Sequence, residues 1–207
     1  NRHAVGKPAR SGQIGVFASD GYEGRITRVS AVGQGQYVQI DLNADVGEAA
    51  GDDEGVLPLV SSANVACGFH AGNPATMRTT VQLSRQYGVA VGAHPGFQDL
   101  AGFGRRDVHL SSAELENLVA YQIGALAGVA ALEGVTLRHV KPHGALYNMA
   151  VPGGDLARAI GEAVLQVDPD MFLVVLAGSP WVAEAERMGL RVAREAFADR
   201  AVNADGT

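Results

Sequence analysis

The chain has 207 residues, 47% of them hydrophobic and 18% charged, with 27 glycines, one cysteine and a formal net charge of -6. Such a length buries roughly 70% of its unfolded surface around one core, and the apolar content excludes intrinsic disorder. The single cysteine rules out an intrachain disulfide framework and fits a reducing cytoplasm, the acidic balance argues against nucleic acid, and no apolar run approaches the ~18 residues of a membrane span.

Charge is unevenly spread: residues 1–39 carry five Lys+Arg against two Asp+Glu, leaving 11 and 20 for residues 40–207. The leading stretch also lacks a sustained helical or strand period, so residues 1–36 read as an extension with no fixed fold. From Tyr37 onward β-rich runs alternate with helical segments. Strands are expected at 38–43, 63–67, 89–93, 137–141, 172–177 and 190–193, each short and mostly apolar, as burial on both faces requires. Pro74 at a first helical position and Gly88 after a last turn frame a helix over Pro74–Tyr87. Ser111 and Glu114 form a capping box for a second helix, whose stripe of Leu115, Leu118, Val119, Ile123 and Leu126 runs on to Gly134. Further helices are expected at 156–167 and 180–188. This alternation implies parallel βα units, in a doubly wound sheet or a (β/α) barrel.

The polar groups favour the barrel. Asp41, Asn43 and Asp45 end the first strand, His70 follows the second, His94 closes the third, and Lys141 and His143 close the fourth. Loops at the carboxyl ends of barrel strands converge on one face, whereas an open sheet gathers only those at its switch point. Asp41 and Asp45 with His70, His94 and His143 supply carboxylates and imidazoles suited to a divalent metal or to acid–base chemistry near neutral pH. A lysine such as Lys141, ending a buried apolar strand, needs an anion to meet. Arg105 and Arg106, in Gly102-Phe-Gly-Arg-Arg106, are weaker phosphate candidates. Cys67 reads as a buried, inert thiol, Asp52-Asp53-Glu54 as an exposed acidic loop, and His139 as structural or solvated. No phosphate-binding glycine loop of the familiar kinds occurs.

Several motifs carry a resemblance: Asp41-Leu-Asn-Ala-Asp45-Val-Gly-Glu48, Ser62-Ala-Asn-Val-Ala-Cys-Gly-Phe-His70-Ala-Gly, Gly92-Ala-His94-Pro-Gly, Gly102-Phe-Gly-Arg-Arg106, His139-Val-Lys-Pro-His143-Gly-Ala-Leu-Tyr147-Asn148 and Glu195-Ala-Phe-Ala-Asp199-Arg200. From about Tyr37 to Thr207 the chain closely resembles the LamB/YcsF family. The resemblance implies an α/β fold, a (β/α) barrel of the glycoside hydrolase/deacetylase type. It also implies a further carboxyl-terminal βα portion that is missing here, so that residues 37–207 would form an incomplete barrel. The implied activity is that of one component of ATP-dependent 5-oxoprolinase, hydrolysing 5-oxo-L-proline to L-glutamate together with subunits B and C in the cytoplasm. On that reading Asp41 or Asp45 acts as base or metal ligand, His70, His94 and His143 serve acid–base or ligand roles, and Lys141 meets the anion. Asn43, Arg105, Arg106 and Asn148 would bind substrate or phosphate. ATP is the implied co-substrate; a divalent metal, if bound, would draw on Asp41, Asp45, His94 and His143. Two other readings are a metal-dependent carbohydrate or amide hydrolase working without partners, and an inactive truncated chain.

Overall fold

The structure, a computed structural model, describes residues 14–18, 27–30, 37–49 and 51–197. The Asp199-Arg200 end of the last motif lies outside these residues. The strands are β1 (Ile14–Ala18), β2 (Thr27–Ser30), β3 (Tyr37–Val46), β4 (Ser62–Ala66), β5 (Ala90–His94), β6 (His139–Val140), β7 (Phe172–Leu176) and β8 (Arg191–Phe197). The helices are α1 (Asp53–Val56), α2 (Pro74–Tyr87), α3 (Ser112–Leu132), α4 (Gly144–Ala150), α5 (Asp155–Val167) and α6 (Pro180–Arg187). From β3 to β8 each strand pairs in parallel with the next, as a chain of βα units requires. Strand β1 then pairs antiparallel with both β8 and β3 and closes the ring, while β2 pairs antiparallel with the first residues of β3.

One expectation is corrected here: residues 1–36 are not wholly outside the fold, because β1 and β2 arise within them. Gly15 explains how β1 fits. It is paired with Asn43, and a Cβ at this position would lie 2.0 Å from Glu195 Oε1 and 2.8 Å from Asn43 Nδ2. Only a residue without a side chain lets this strand approach the polar groups at the seam.

Helix ends form for the expected reasons. The Asn73 side chain accepts from the backbone N–H groups of Ala75 and Thr76, Pro74 opens α2, and Gly88 leaves it with φ 67°. Ser111 and Glu114 cap α3 reciprocally, and Leu115, Val119, Ile123, Leu126 and Ala130 make its buried stripe. At 21 residues α3 is long and apolar enough to cross a membrane by length and composition alone, more than the apolar runs promised. In the fold it packs against α2, α5 and β5. One apolar core fills the space between sheet and helices, from Val65, Val91, Val140 and Leu173 to Ile123, Leu126, Ile160 and Trp181. Helix α4, which follows β6, had no counterpart among the expected elements.

Candidate active site

The face of β3 that carries Asp41, Asn43 and Asp45 is buried, with the apolar residues Ala44 and Val46 between and after them joining the core on the other face. Polar residues on adjacent strands meet this row. Ser62 Oγ donates to Asp41 Oδ1 at 2.5 Å, and Asn64 Nδ2 donates to Asn43 Oδ1 at 2.7 Å and Asp45 Oδ1 at 2.8 Å. His139 Nε2 lies 2.7 Å from Asn64 Oδ1. Opposite it, Gly92 is required, since a Cβ there would fall 2.2 Å from the His139 ring. Lys141 is 1% exposed, and its ammonium lies 3.1 Å from Asp45 Oδ1, 2.8 Å from Glu195 Oε1 and 3.3 Å from Asn43 Oδ1. The anion that Lys141 requires is therefore supplied by the protein itself.

Above this layer four consecutive βα loops bring Glu48, His70, His94 and His143 together. One ligand atom from each lies within 4.8 Å of the others. Glu48 Oε1 is 3.4 Å from His70 Nε2, 3.6 Å from His94 Nε2 and 3.4 Å from His143 Nδ1. His94 Nε2 is also 3.4 Å from Asp45 Oδ2, which joins the cluster to the layer below. The His70 and His143 rings stack at 3.8 Å with 3° between their planes.

Local structure explains the convergence. Gly47, at φ 71°, turns the chain after β3, and its N–H donates to Asp53 Oδ2 at 2.9 Å, so Glu48 is anchored from α1. Thr80 Oγ1 of α2 donates to the same carboxylate oxygen at 3.3 Å. Asp52-Asp53-Glu54 is thus no simple exposed loop: Asp52 caps α1 and Asp53 pins the turn that carries Glu48. His70 packs against Gly96 and Gly104, where Cβ atoms would come within 2.6 and 2.7 Å of it. Gln122 of α3 grips Gly96 through both its N–H and its carbonyl. Phe103 adopts φ 55°, a costly backbone for a non-glycine residue, and its carbonyl meets His143 Nε2 at 2.8 Å.

Burial and mutual charge set the protonation pattern. Burial opposes ionisation of Asp45, but the charges of His94 and Lys141 outweigh it and hold the carboxyl far below the usual range. Burial likewise opposes charge on His94, yet Asp45 and Glu48 raise it above the ordinary imidazole value. Burial, then repulsion from charged His94, pushes His70 down to about 2 and His143 to about 3. Glu48 is raised, chiefly by burial. Lys141 is raised: burial works against its charge, but Asp45 and Glu195 overcome it. The site therefore offers neutral imidazoles beside carboxylates, a donor set that could hold a metal ion or relay protons.

Of the residues picked from sequence, the structure brings His70, His94, His143 and Asp45 together, with Lys141 and Asn43 directly beneath. Asp41 is not among them. It lies four residues before Asp45 on β3, roughly 13 Å along the strand. Its carboxyl rises to about 7 through burial, partly offset by the Ser62 hydrogen bond. Asn148 is exposed on α4, and Arg106 is tied to Asp99. Arg105 is exposed over the Phe103 ring, near enough to Glu48 to favour its ionised form. Cys67 is buried, its thiol pushed up to about 12 by desolvation, as an inert thiol should be. Sequence reasoning missed Glu48, Glu195, Asn64 and the buried role of His139. Glu48 and Glu195 stood in the recognised motifs, and an acid just past a strand-ending glycine was the available signal for the first.

A closed barrel of mostly parallel strands, with a Glu/His cluster gathered by the loops at their carboxyl ends, defines a (β/α)-barrel protein with a site of the enzymatic kind. The chain belongs to the LamB/YcsF family, which its residues 40–207 match. It is 55% identical over 174 residues to the A subunit of 5-oxoprolinase from Bacillus licheniformis, covering 82% of this chain and 69% of that one. The protein of the same name from Pyrococcus horikoshii is 53% identical over 175 residues, covering 82% of this chain and 69% of its own. A crystal structure of a lactam utilization protein from Thermus thermophilus superimposes with a TM-score of 0.78 at 53% identity, covering 81% of this chain and 70% of that one. That likeness agrees with the expected barrel.

Proposed function

We propose that this chain is the A component of an ATP-dependent 5-oxoprolinase, which hydrolyses 5-oxo-L-proline to L-glutamate in a cytoplasmic complex with subunits B and C. The observation that carries this reading is the 55% identity over 174 residues to a relative of that name, across the segment that holds the whole Glu/His cluster. The chemistry calls for such a cluster. An unstrained lactam is a poor electrophile, and transfer of a phosphoryl group from ATP to its oxygen would leave an imidate-like carbon open to water. Addition of water, followed by cleavage of the ring C–N bond with a proton delivered to nitrogen, leaves an acyl phosphate. A second water then yields the carboxylate and phosphate.

In this scheme Glu48, His70, His94 and His143 would hold a cation that makes the attacking water more acidic, and the proton that water gives up passes to the ring nitrogen. Lys141 and Asn43 act from beneath by fixing Asp45 rather than by touching substrate. Arg105, exposed at the rim, is the phosphate candidate that best fits the arrangement, and a divalent cation at the cluster completes the reading. The test is reconstitution with subunits B and C, following glutamate and ADP formation. Turnover that needs this chain and falls sharply in Glu48→Gln and His94→Ala is the expected result. Equal turnover by B and C alone, or ATP-independent hydrolysis of the lactam by this chain, would overturn it, the latter in favour of a partner-independent hydrolase.

A further inference from the structure

His94 and His143 each commit one ring nitrogen to a backbone carbonyl: His94 Nδ1 lies 2.6 Å from the Lys141 carbonyl, and His143 Nε2 lies 2.8 Å from that of Phe103. A carbonyl can only accept, so those two nitrogens carry the protons. The remaining nitrogens, His94 Nε2 and His143 Nδ1, face each other across 3.0 Å, where at most one of them can carry a proton and the other presents a lone pair. Glu48 Oε1 points into the same space and has no hydrogen-bond partner among the described residues. His70 is 1% exposed, and neither of its ring nitrogens has a hydrogen-bond partner there. One proton on His94 relieves the facing lone pairs, but it leaves His70 and the Glu48 oxygen unsatisfied in a buried site, an expensive arrangement.

We infer that Glu48, His70, His94 and His143 form a binding site for a single divalent transition-metal ion, of the zinc, manganese, iron or cobalt class. This deepens the proposed function by naming the ion class and its ligands, and it rests on the reading that a divalent cation serves the cluster. Three imidazoles and one carboxylate suit a borderline cation and disfavour magnesium and calcium, which prefer oxygen ligands. For two of the three imidazoles the outer contacts have the form such sites use, in which a ligating imidazole is oriented by a hydrogen bond from its other nitrogen, while His70 is held by packing against Gly96 and Gly104. The Lys141 and Phe103 carbonyls fill that role for His94 and His143, and Asp45 Oδ2 stands 3.4 Å from His94 Nε2 as a further acidic neighbour. The strained backbone at Phe103 gains a purpose here, because it aims the carbonyl that fixes the His143 tautomer. Glu48 is the only ligand on the rim, its side chain 9% exposed against 0, 1 and 4% for His70, His94 and His143. Access to the ion is therefore over Glu48, on the side of Arg105.

The experiment uses the full 207-residue chain alone, stripped with chelator and titrated by calorimetry with Zn2+, Co2+ and Mg2+. One Zn2+ or Co2+ per chain is expected, with Mg2+ much weaker, and the Co2+ form should show visible bands of a nitrogen-rich site. Glu48→Gln, nearly isosteric, and His143→Ala should each weaken Zn2+ binding by about 100-fold, the scale on which metal-site substitutions act. His109→Gln, at an exposed histidine remote in sequence from the cluster, should bind as the parent does. Circular dichroism separates lost ligands from lost folding, and Zn2+ should raise the melting temperature of the parent but not of Glu48→Gln. A folded parent that takes up no stoichiometric Zn2+ or Co2+, or uptake unchanged in both ligand variants, overturns the site. Because neither substrate nor B and C are present, those outcomes are independent of the reconstituted lactam assay: a chain that binds metal yet fails with B and C would refute the function and leave the site.

Discussion

Asp41→Asn should stabilise this protein at alkaline pH and leave it nearly unchanged in acid. Asp41 Oδ1 accepts from Ser62 Oγ at 2.5 Å, whereas Oδ2 is buried with no hydrogen-bond partner among the described residues. Burial lifts the carboxyl from 3.8 to about 7. A rise of about three units corresponds to about 4 kcal/mol at 1.36 kcal/mol per unit. The folded state holds this proton more tightly than the unfolded chain does. Its contribution is therefore fully present below about pH 4, declines as pH rises through 7, and stays lost above that. Asparagine keeps an oxygen to accept from Ser62 and carries no charge to strand. Urea unfolding at pH 4, 6 and 8, followed by fluorescence of the single, fully buried Trp181, measures the difference directly. The variant should gain about 2–4 kcal/mol over the parent at pH 8 and lie within about 1 kcal/mol of it at pH 4. A difference that does not change with pH, or a variant less stable than the parent at pH 8, would refute the reasoning.

Three further outcomes follow from the geometry. Lys141→Met strips the ammonium from between Asp45 and Glu195 and should cost about 3–5 kcal/mol in the same unfolding assay, because it takes from the buried Glu195 the cation that pairs with it; a loss below about 1 kcal/mol would show that the pair is not held as described. Asp53→Ala releases the Gly47 N–H and should lower kcat/KM in the reconstituted complex by up to about 100-fold while global stability moves by only about 1 kcal/mol, since Glu48 alone loses its anchor. Unchanged kinetics would mean that Glu48 is positioned by something else. Gly15→Val drives a side chain into Glu195 and Asn43, and should cost about 1–3 kcal/mol. It should also speed amide exchange where β1 pairs with β8; exchange rates like the parent's would mean that β1 does not seal the ring.

The barrel was legible because the helices after β4 and β5 announced their ends and the expected strands were short and β-rich. The strands from 38–43 to 190–193 were all found, with shifted ends: β3 runs on to Val46 and β8 to Phe197, both past the expected stops. What escaped was β1, where Ile14-Gly-Val-Phe-Ala18 is a plausible strand whose partners lie at both ends of the fold. Gly15 looked like a loop residue, and only the side chains of Asn43 and Glu195 explain why it must be a glycine. The imidazoles of the site were legible because each follows a strand. Glu48 was not, since its place depends on the Gly47 turn and on Asp53 of the next helix. Lys141 illustrates the limit of reading a buried cation from sequence. The requirement for an anion was correct, but its identity is a tertiary fact, because Glu195 comes from a strand 54 residues downstream.

That last pairing has a consequence for the site above it. Lys141 keeps Asp45 ionised, and Asp45 in turn raises His94, whose Nδ1 meets the carbonyl of Lys141 itself. The buried lysine thus acts on the cluster twice, through its charge and through its backbone, without reaching the reacting atoms. A salt bridge this deep contributes little to stability compared with apolar packing. What it provides is a His94 whose ring orientation is fixed before any ligand arrives, with Nδ1–H held on the Lys141 carbonyl, which is what a site assembled from four separate loops most needs. The same logic accounts for the unusual polarity inside the barrel. Asn43 and Asn64 tie Lys141 and Asp45 into one network. His139, held down to about 3 by burial and then by the Lys141 charge, stays neutral beside it, so it adds no further cation next to Asp45.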